Sequence, residues 1–140
     1  MKKNIKILLI TLTSVLMLMS VSNDKKGISF SDITLKEAKS MATDSEKLIF
    51  IDCYTDWCGP CKRMAATSFK DEEVGKVFNQ KFINLKIEME KNPEGNELAR
   101  RYQVRAYPTL LVIDANGNLI KKVIGMQNVN GLLTLASTIK

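Results

Sequence analysis

Two cysteines stand three positions apart in Trp57-Cys58-Gly59-Pro60-Cys61, a few residues beyond the apolar run Leu48 to Ile51. The run predicts a buried strand, and Cys58 through Met64, Ala65 and Ala66 predicts a helix. The chain must therefore turn from strand into helix at the dithiol, which restricts the fold more than any other feature. A cysteine at a helix N-terminus has its thiolate stabilised by the helix dipole and by free backbone N–H groups. A second cysteine one turn on faces the same side and can close a small disulfide ring. That spacing suits a reversible dithiol/disulfide couple. The alternatives are half of a zinc site and two ordinary buried cysteines.

Composition narrows the chemistry. The chain of 140 residues has no histidine, so nucleophilic, acid–base or metal schemes built on imidazole are excluded. With only three cysteines, a four-ligand zinc site is disfavoured and no metal is expected. The third, Cys53, should point to the opposite face of its strand from Asp52, as a small buried hydrophobe, the alternatives being a third redox thiol or a metal ligand. The formal charge of +6 includes Lys2, Lys3 and Lys6. Without them 18 basic residues face 15 acidic ones, a balance too mild to suggest nucleic acid.

Those three lysines precede an apolar stretch, Ile7 to Met19, interrupted only by Thr11, Thr13 and Ser14. Ser20 and Ser22 supply small residues for a cut before Asn23. Residues 1–22 thus read as an export leader. The run falls short of the roughly 20 residues a spanning helix needs, which favours cleavage over a retained anchor. Export would place the chain in a periplasmic or cell-envelope compartment where disulfides persist.

Residues 27–140 read as one domain. Gly27 to Phe30 suggests a short first strand. Thr34 and Glu37 form a capping-box pair opening a helix in which Leu35, Ala38, Met41 and Ala42 follow helical spacing. Leu48 to Tyr54 is a strand, its apolar start indicating burial on both faces. A helical piece over Glu72 to Asn79 either continues the one after Cys58 or follows a kink. Phe82 to Met89 is a further strand, Asn92 to Asn96 a loop and Glu97 to Tyr102 a short helix. Thr109 to Asp114 and Asn118 to Ile124 form a hairpin about Asn116-Gly117. Leu132, Leu133, Leu135, Ala136 and Ile139 outline a final amphipathic helix. Strands alternating with helices predict an α/β fold with a mixed sheet covered on both faces.

From about Ile28 onward the chain resembles the thioredoxin family. The markers are Asp52 before the dithiol, Trp57-Cys58-Gly59-Pro60-Cys61, Lys86 in the next strand, Tyr107-Pro108-Thr109, and Gly125 after the hairpin. Thr67-Ser68-Phe69 and Asp71-Glu72-Glu73-Val74 are similar to exported thioredoxin-like proteins and to the thioredoxin-like domains of membrane electron transporters. The resemblance implies a central five-stranded mixed sheet flanked by four helices. It implies Cys58 as attacking thiol and Cys61, less exposed, as resolving thiol. Asp52, a carboxylate in an apolar run, would be the base for Cys61, with Lys86 modulating it. Pro108 resembles the family's cis-proline and would expose the Tyr107 backbone to an extended substrate. Trp57, Gly59 and Pro60 complete the docking surface. Tyr107 replaces a residue that is often aliphatic, which bears on substrate preference.

Gly59 and Pro60 offer the Cys58 thiolate no side-chain donor, so the couple should be reducing. Thioredoxin itself lies near about −270 mV, a strong oxidant near about −120 mV. The expected function is an exported protein-disulfide reductase, acting as a monomer on disulfide-bearing exported proteins. It would draw electrons from a membrane-embedded donor and use no cofactor. The competing readings are a disulfide oxidase or isomerase, and a binding or chaperone module whose dithiol is not essential.

Overall fold

The computed structural model describes residues 26–139, so the expected leader lies outside the described residues. Chain order gives α1 (Leu35–Ser45), β1 (Leu48–Tyr54), α2 (Gly59–Ala66), a 3-10 turn (Ser68–Lys70), α3 (Glu72–Lys81), β2 (Phe82–Glu88), α4 (Gly95–Tyr102), β3 (Thr109–Ile113), β4 (Leu119–Ile124) and α5 (Val129–Ser137). The strands form one sheet in the order β2-β1-β3-β4. β1 is interior, parallel to β2 and antiparallel to β3, and β4 is antiparallel to β3.

Strand alternation sends the β1 side chains into two separate cores. Ile49, Ile51 and Cys53 pack with Leu35 and Ala38 of α1 and with Leu98 and Tyr102 of α4. Phe50 packs on the other face with Met64 of α2, Phe78 of α3 and Leu132 of α5. All five phenylalanines of the chain gather on or beside this second core. The Phe50 and Phe78 rings meet edge to face at 4.9 Å and Phe30 and Phe69 at 5.3 Å, while Phe78 and Phe82 are tilted at 5.2 Å. Such pairs add about 0.5–1.5 kcal/mol each beyond area burial.

The capping box at Thr34 forms as its sequence requires. The Thr34 side chain accepts from Glu37 N–H, and the Glu37 carboxylate accepts from Thr34 N–H at 2.8 Å. The hairpin turns at Gly117, whose φ of +83° lies where only glycine is at ease. Asp114 braces that turn by accepting from Asn118 N–H at 2.8 Å.

The architecture is a thioredoxin-type α/β fold, but with four strands and five α-helices among the described residues, against the expected five and four. Gly27 to Phe30 is not a strand because its donors are engaged elsewhere. Ile28 N–H donates to Phe69 O at 2.7 Å and Ser29 N–H to Asn79 Oδ1 at 2.8 Å. Only Ser31 reaches the sheet, as a single parallel bridge to Leu85. The extra helix arises because the run from Cys58 to Asn79 is not continuous. Thr67 leaves helical geometry (φ −125°, ψ −88°), and Asp71 restarts a helix by accepting from Val74 N–H at 3.0 Å. An N-terminal side-chain cap of this kind is worth about 1 kcal/mol.

Gly27 and Gly75 let the N-terminal segment lie flat on α3. A Cβ on Gly75 would sit 2.3 Å from Gly27 O. Alanine inside a helix normally gains about 0.5–1 kcal/mol over glycine. Here the backbone overlap should reverse the sign. Gly75→Ala is expected to lower stability by about 1–3 kcal/mol in urea unfolding, and a variant as stable as the wild type would refute the close approach.

Candidate active site

β1 ends at Tyr54, and the chain turns through Thr55, Asp56 and Trp57, with Cys58 N–H donating to Thr55 O at 3.1 Å. Cys58 is extended (φ −73°, ψ 105°) and is the N-cap of α2, one residue earlier than the first helical position. Its Sγ accepts from Cys61 N–H at 3.2 Å. Pro60 occupies the first turn, where a missing N–H leaves no helical bond unmade. Cys58 and Cys61 form a disulfide with Cα atoms 5.3 Å apart. Both cysteines are 2% exposed, so burial does not separate an exposed thiol from a sheltered one in this oxidised form, contrary to the sequence expectation. A Cβ at Gly59 would meet nothing within 4 Å. Packing therefore does not require glycine between the cysteines.

Asp52 lies on the same side of β1 as Phe50, the side covered by α2. It is 1% exposed, and neither carboxylate oxygen has a hydrogen-bond partner among the described residues. Burial pushes its pKa up to about 7, with Lys86 pulling in the opposite direction. Lys86 is the register partner of Asp52 on β2. It forms no ion pair with that carboxylate; its Nζ stands 4.4 Å from the centre of the Tyr54 ring, a cation–π contact. Lys86 thus acts on Asp52 through space, and the carboxyl stays poorly solvated.

The Tyr107–Pro108 peptide bond is cis, and Pro108 is buried directly before β3. The Tyr107 ring meets Trp57 edge on at 5.9 Å. Trp57 is 66% exposed, and its Nε1–H donates to the Glu90 carboxylate at 3.1 Å. Trp57, Gly59 and Pro60 adjoin the two cysteines in the chain, the Trp57 ring brings Tyr107 to the turn before Cys58, and Asp52 and Lys86 are register partners across the sheet.

Glu88 and Glu90 were not singled out by sequence reasoning. Glu88 accepts from Asp56 N–H at 3.1 Å and from Glu90 N–H at 2.9 Å, tying the turn before the dithiol to the turn after β2. Lys91 pairs with Asp56 across the same gap. The acidic pair Glu88 and Glu90 after β2 was the available signal, but nothing local said that it would meet Trp57. Cys53 is a free thiol, fully buried against α1 and α4, with its pKa raised by burial. Arg100 and Arg101 lie in the last turn of α4, with Arg105 beyond it; all three are exposed.

A disulfide at a strand-to-helix junction, in a four-stranded mixed sheet covered by helices, defines a thiol–disulfide oxidoreductase. The chain belongs to the thioredoxin family, whose Thioredoxin model matches residues 29–138. Drosophila melanogaster Thioredoxin-1 is 36% identical over 81 residues, covering 58% of this chain and 70% of that protein. The Thiol:disulfide interchange protein DsbD of Haemophilus influenzae (strain PittEE) is 33% identical over 101 residues, covering 66% of this chain. The match spans only 17% of that longer relative. A solution structure of a candidate disulphide-isomerase from Bacteroides thetaiotaomicron is 44% identical, with a TM-score of 0.70, covering 78% of this chain and 89% of the other. The oxidised C-terminal domain of Neisseria meningitidis DsbD, at 22% identity and TM-score 0.63, shares the fold.

The raised Asp52 pKa makes stability pH-dependent in a defined sense. Below the unfolded value near 3.8, the carboxyl is protonated in both states and carries no charge-burial cost. As pH rises from there to about 7, the unfolded chain ionises first and the folded state loses stability. Above about 7 the loss is complete, on the order of 4 kcal/mol. Glu37, Asp56 and Asp114 have lowered pKa values and act oppositely at acid pH. The readout is therefore the difference between wild type and Asp52→Asn, both oxidised, in urea unfolding. Asp52→Asn should gain on the wild type between pH 4 and pH 8; a constant difference would show that Asp52 is not buried as a strained acid.

Proposed function

We propose that the chain is an exported protein-disulfide reductase. The observation that carries this reading is the Gly59-Pro60 pair at the N-terminus of α2. Neither residue offers a side-chain donor to a Cys58 thiolate, and Gly59 faces open space, so its lack of a side chain has a chemical rather than a packing rationale. A thiolate held only by the helix terminus is less stabilised, and a less stabilised dithiol is a stronger reductant. The lysine-rich, apolar N-terminal segment and the likeness to DsbD proteins support export to the periplasm or cell envelope.

The reaction then runs in two exchanges. The Cys58 thiolate attacks one sulfur of a substrate disulfide, forming a mixed disulfide and expelling one substrate thiolate. The Cys61 thiol gives its proton to Asp52, directly or through a water, and its thiolate attacks the Cys58 sulfur. The second substrate thiolate leaves, and the Cys58–Cys61 disulfide forms; two electrons have passed to the substrate. Burial suits Asp52 to this role, since a carboxylate titrating near 7 can accept and return a proton at neutral pH. Lys86 tempers that basicity. Trp57, Tyr107 and Pro108 form the face against which an extended substrate segment lies. The oxidised protein is returned to the dithiol by a membrane-embedded electron donor, because soluble cytosolic reductants do not reach that compartment. The working unit is a monomer.

The second reading is a disulfide isomerase or oxidase, favoured by the 44% identity to the Bacteroides thetaiotaomicron protein. Redox potential separates the two: a value well below about −180 mV supports the reductase, and a higher one overturns it. In the cell compartment, Cys61→Ser should accumulate mixed disulfides through Cys58, while Cys58→Ser should not. Absence of such complexes, together with failure of the wild type to reduce a model disulfide, would sink the proposal. Asp52→Asn should retain Cys58 attack yet slow release of reduced substrate by about 10²-fold at pH 7, read by stopped-flow decay of the mixed disulfide.

A further inference from the structure

The two edges of the sheet are finished differently. Along β2, Ser31 N–H donates to Asn84 O at 2.8 Å and Ser31 bridges to Leu85, so the segment before α1 covers part of that edge. Along β4, β3 is the sole ladder partner among the described residues. Such an edge is usually shortened or made polar. Here Leu119, Ile120 and Ile124 are 44%, 46% and 61% exposed, and Met126 just beyond is 45% exposed.

Cations surround this apolar strip. Lys121 and Lys122 lie within β4, Arg101 comes from the end of α4, and Lys39 of α1 approaches the Gly117 turn. Arg101 Nη2 donates to Gly117 O at 3.0 Å and Lys122 Nζ to Tyr102 O at 3.1 Å, which holds both heads near the edge. None has a carboxylate at ion-pair distance; the ion pair found among the described residues joins Lys91 and Asp56. A groove of about 440 Å³ separates the end of α4 from β4, bordered by Arg101, Gln103, Leu119 and Lys122.

We propose that the β4 edge and this groove dock an extended partner segment that presents both acidic and apolar side chains on each face, added to the sheet as a further strand. Main-chain pairing satisfies the free ladder groups; Lys122 shares one face of β4 with Leu119 and Ile124, and Lys121 shares the other with Val123, so each face meets both acidic and apolar side chains. A second copy of the chain fits poorly. Antiparallel self-pairing centred on β4 sets Lys121 opposite Lys121, or Lys122 opposite Lys122, of the other copy, and opposed like charges destabilise a strand pair. A polyanion without apolar groups would use the cations but leave the ladder and the leucine and isoleucine side chains unmatched. The surface runs on to the dithiol end of the sheet: Ile124 pairs with Thr109, and Gly125 N–H donates to Pro108 O at 2.8 Å. A strand held on β4 would thus end beside the Pro108 loop. The readout is binding, so the inference stands or falls apart from the direction of electron flow.

The test is an NMR titration of the full chain, isotopically labelled and oxidised, with a short synthetic peptide of repeating Glu-Glu-Ile-Ile, which shows both residue types on each face. A control peptide carries Lys in place of Glu. The acidic peptide should shift the amides of residues 119–124 and slow their hydrogen exchange. Lys121→Glu combined with Lys122→Glu should weaken binding by about tenfold, while insulin-type disulfide reduction is unchanged. Three outcomes would overturn the proposal: no shift at these amides, shifts confined to Trp57 and Tyr107, or equal binding of the two peptides or of the charge-reversed variant. Concentration-dependent shifts of the same amides without peptide would assign the edge to self-association and overturn it too.

Discussion

The position of β1 governs the rest of the molecule. It is paired on both sides and covered on both faces, so its alternating side chains must satisfy two cores at once. Ile49, Ile51 and Cys53 do so with aliphatic and thiol groups. On the other face Phe50 anchors the aromatic cluster, and two residues later the same face receives Asp52. The strand that organises the hydrophobic packing therefore also carries a carboxyl into a place where water cannot solvate it. That charge-burial cost is the physical origin of a carboxyl titrating near 7.

The site is built from the ends of elements more than from their interiors. β1 stops at Tyr54, α2 begins after Cys58, β2 stops at Glu88, and β3 begins after the Tyr107–Pro108 bond. Each end brings one participant: sulfur, carboxylate cap, aromatic ring or proline. The Glu88 carboxylate links two of these ends through main-chain N–H groups, and Glu90 fixes the exposed indole of Trp57. The aromatic rim is thereby held beside the disulfide although Trp57 is largely in solvent.

Much of this was legible because the relevant physics is local. Leu48 to Tyr54 declared a doubly buried strand, Thr34 with Glu37 declared a helix start, and Asn116-Gly117 declared a turn. The chemistry of Cys58, Gly59, Pro60 and Cys61 follows from their spacing at a strand-to-helix junction. Gly27 to Phe30 was misread because its donors turn to Phe69 and Asn79, tens of residues away, instead of to a strand. Periodicity alone left open whether the helix after Cys58 continued or restarted; the Thr67 backbone and the Asp71 cap divide it in two. Glu88 and Glu90 carry no local sign of their role, since only the folded chain sets them against Asp56 and Trp57.

The sequence by itself determined the redox class, the α/β order of elements and the identity of the dithiol, because each rests on residue type and short-range spacing. Tertiary structure decided the count of strands, the isolation of the Asp52 carboxyl from any hydrogen-bond partner, the placing of Lys86 over Tyr54 rather than in an ion pair, and the open β4 edge. Those properties depend on which distant segments fill the space around a group. Desolvation, through-space charge and edge exposure are set by three-dimensional neighbours and leave no trace in adjacent residues.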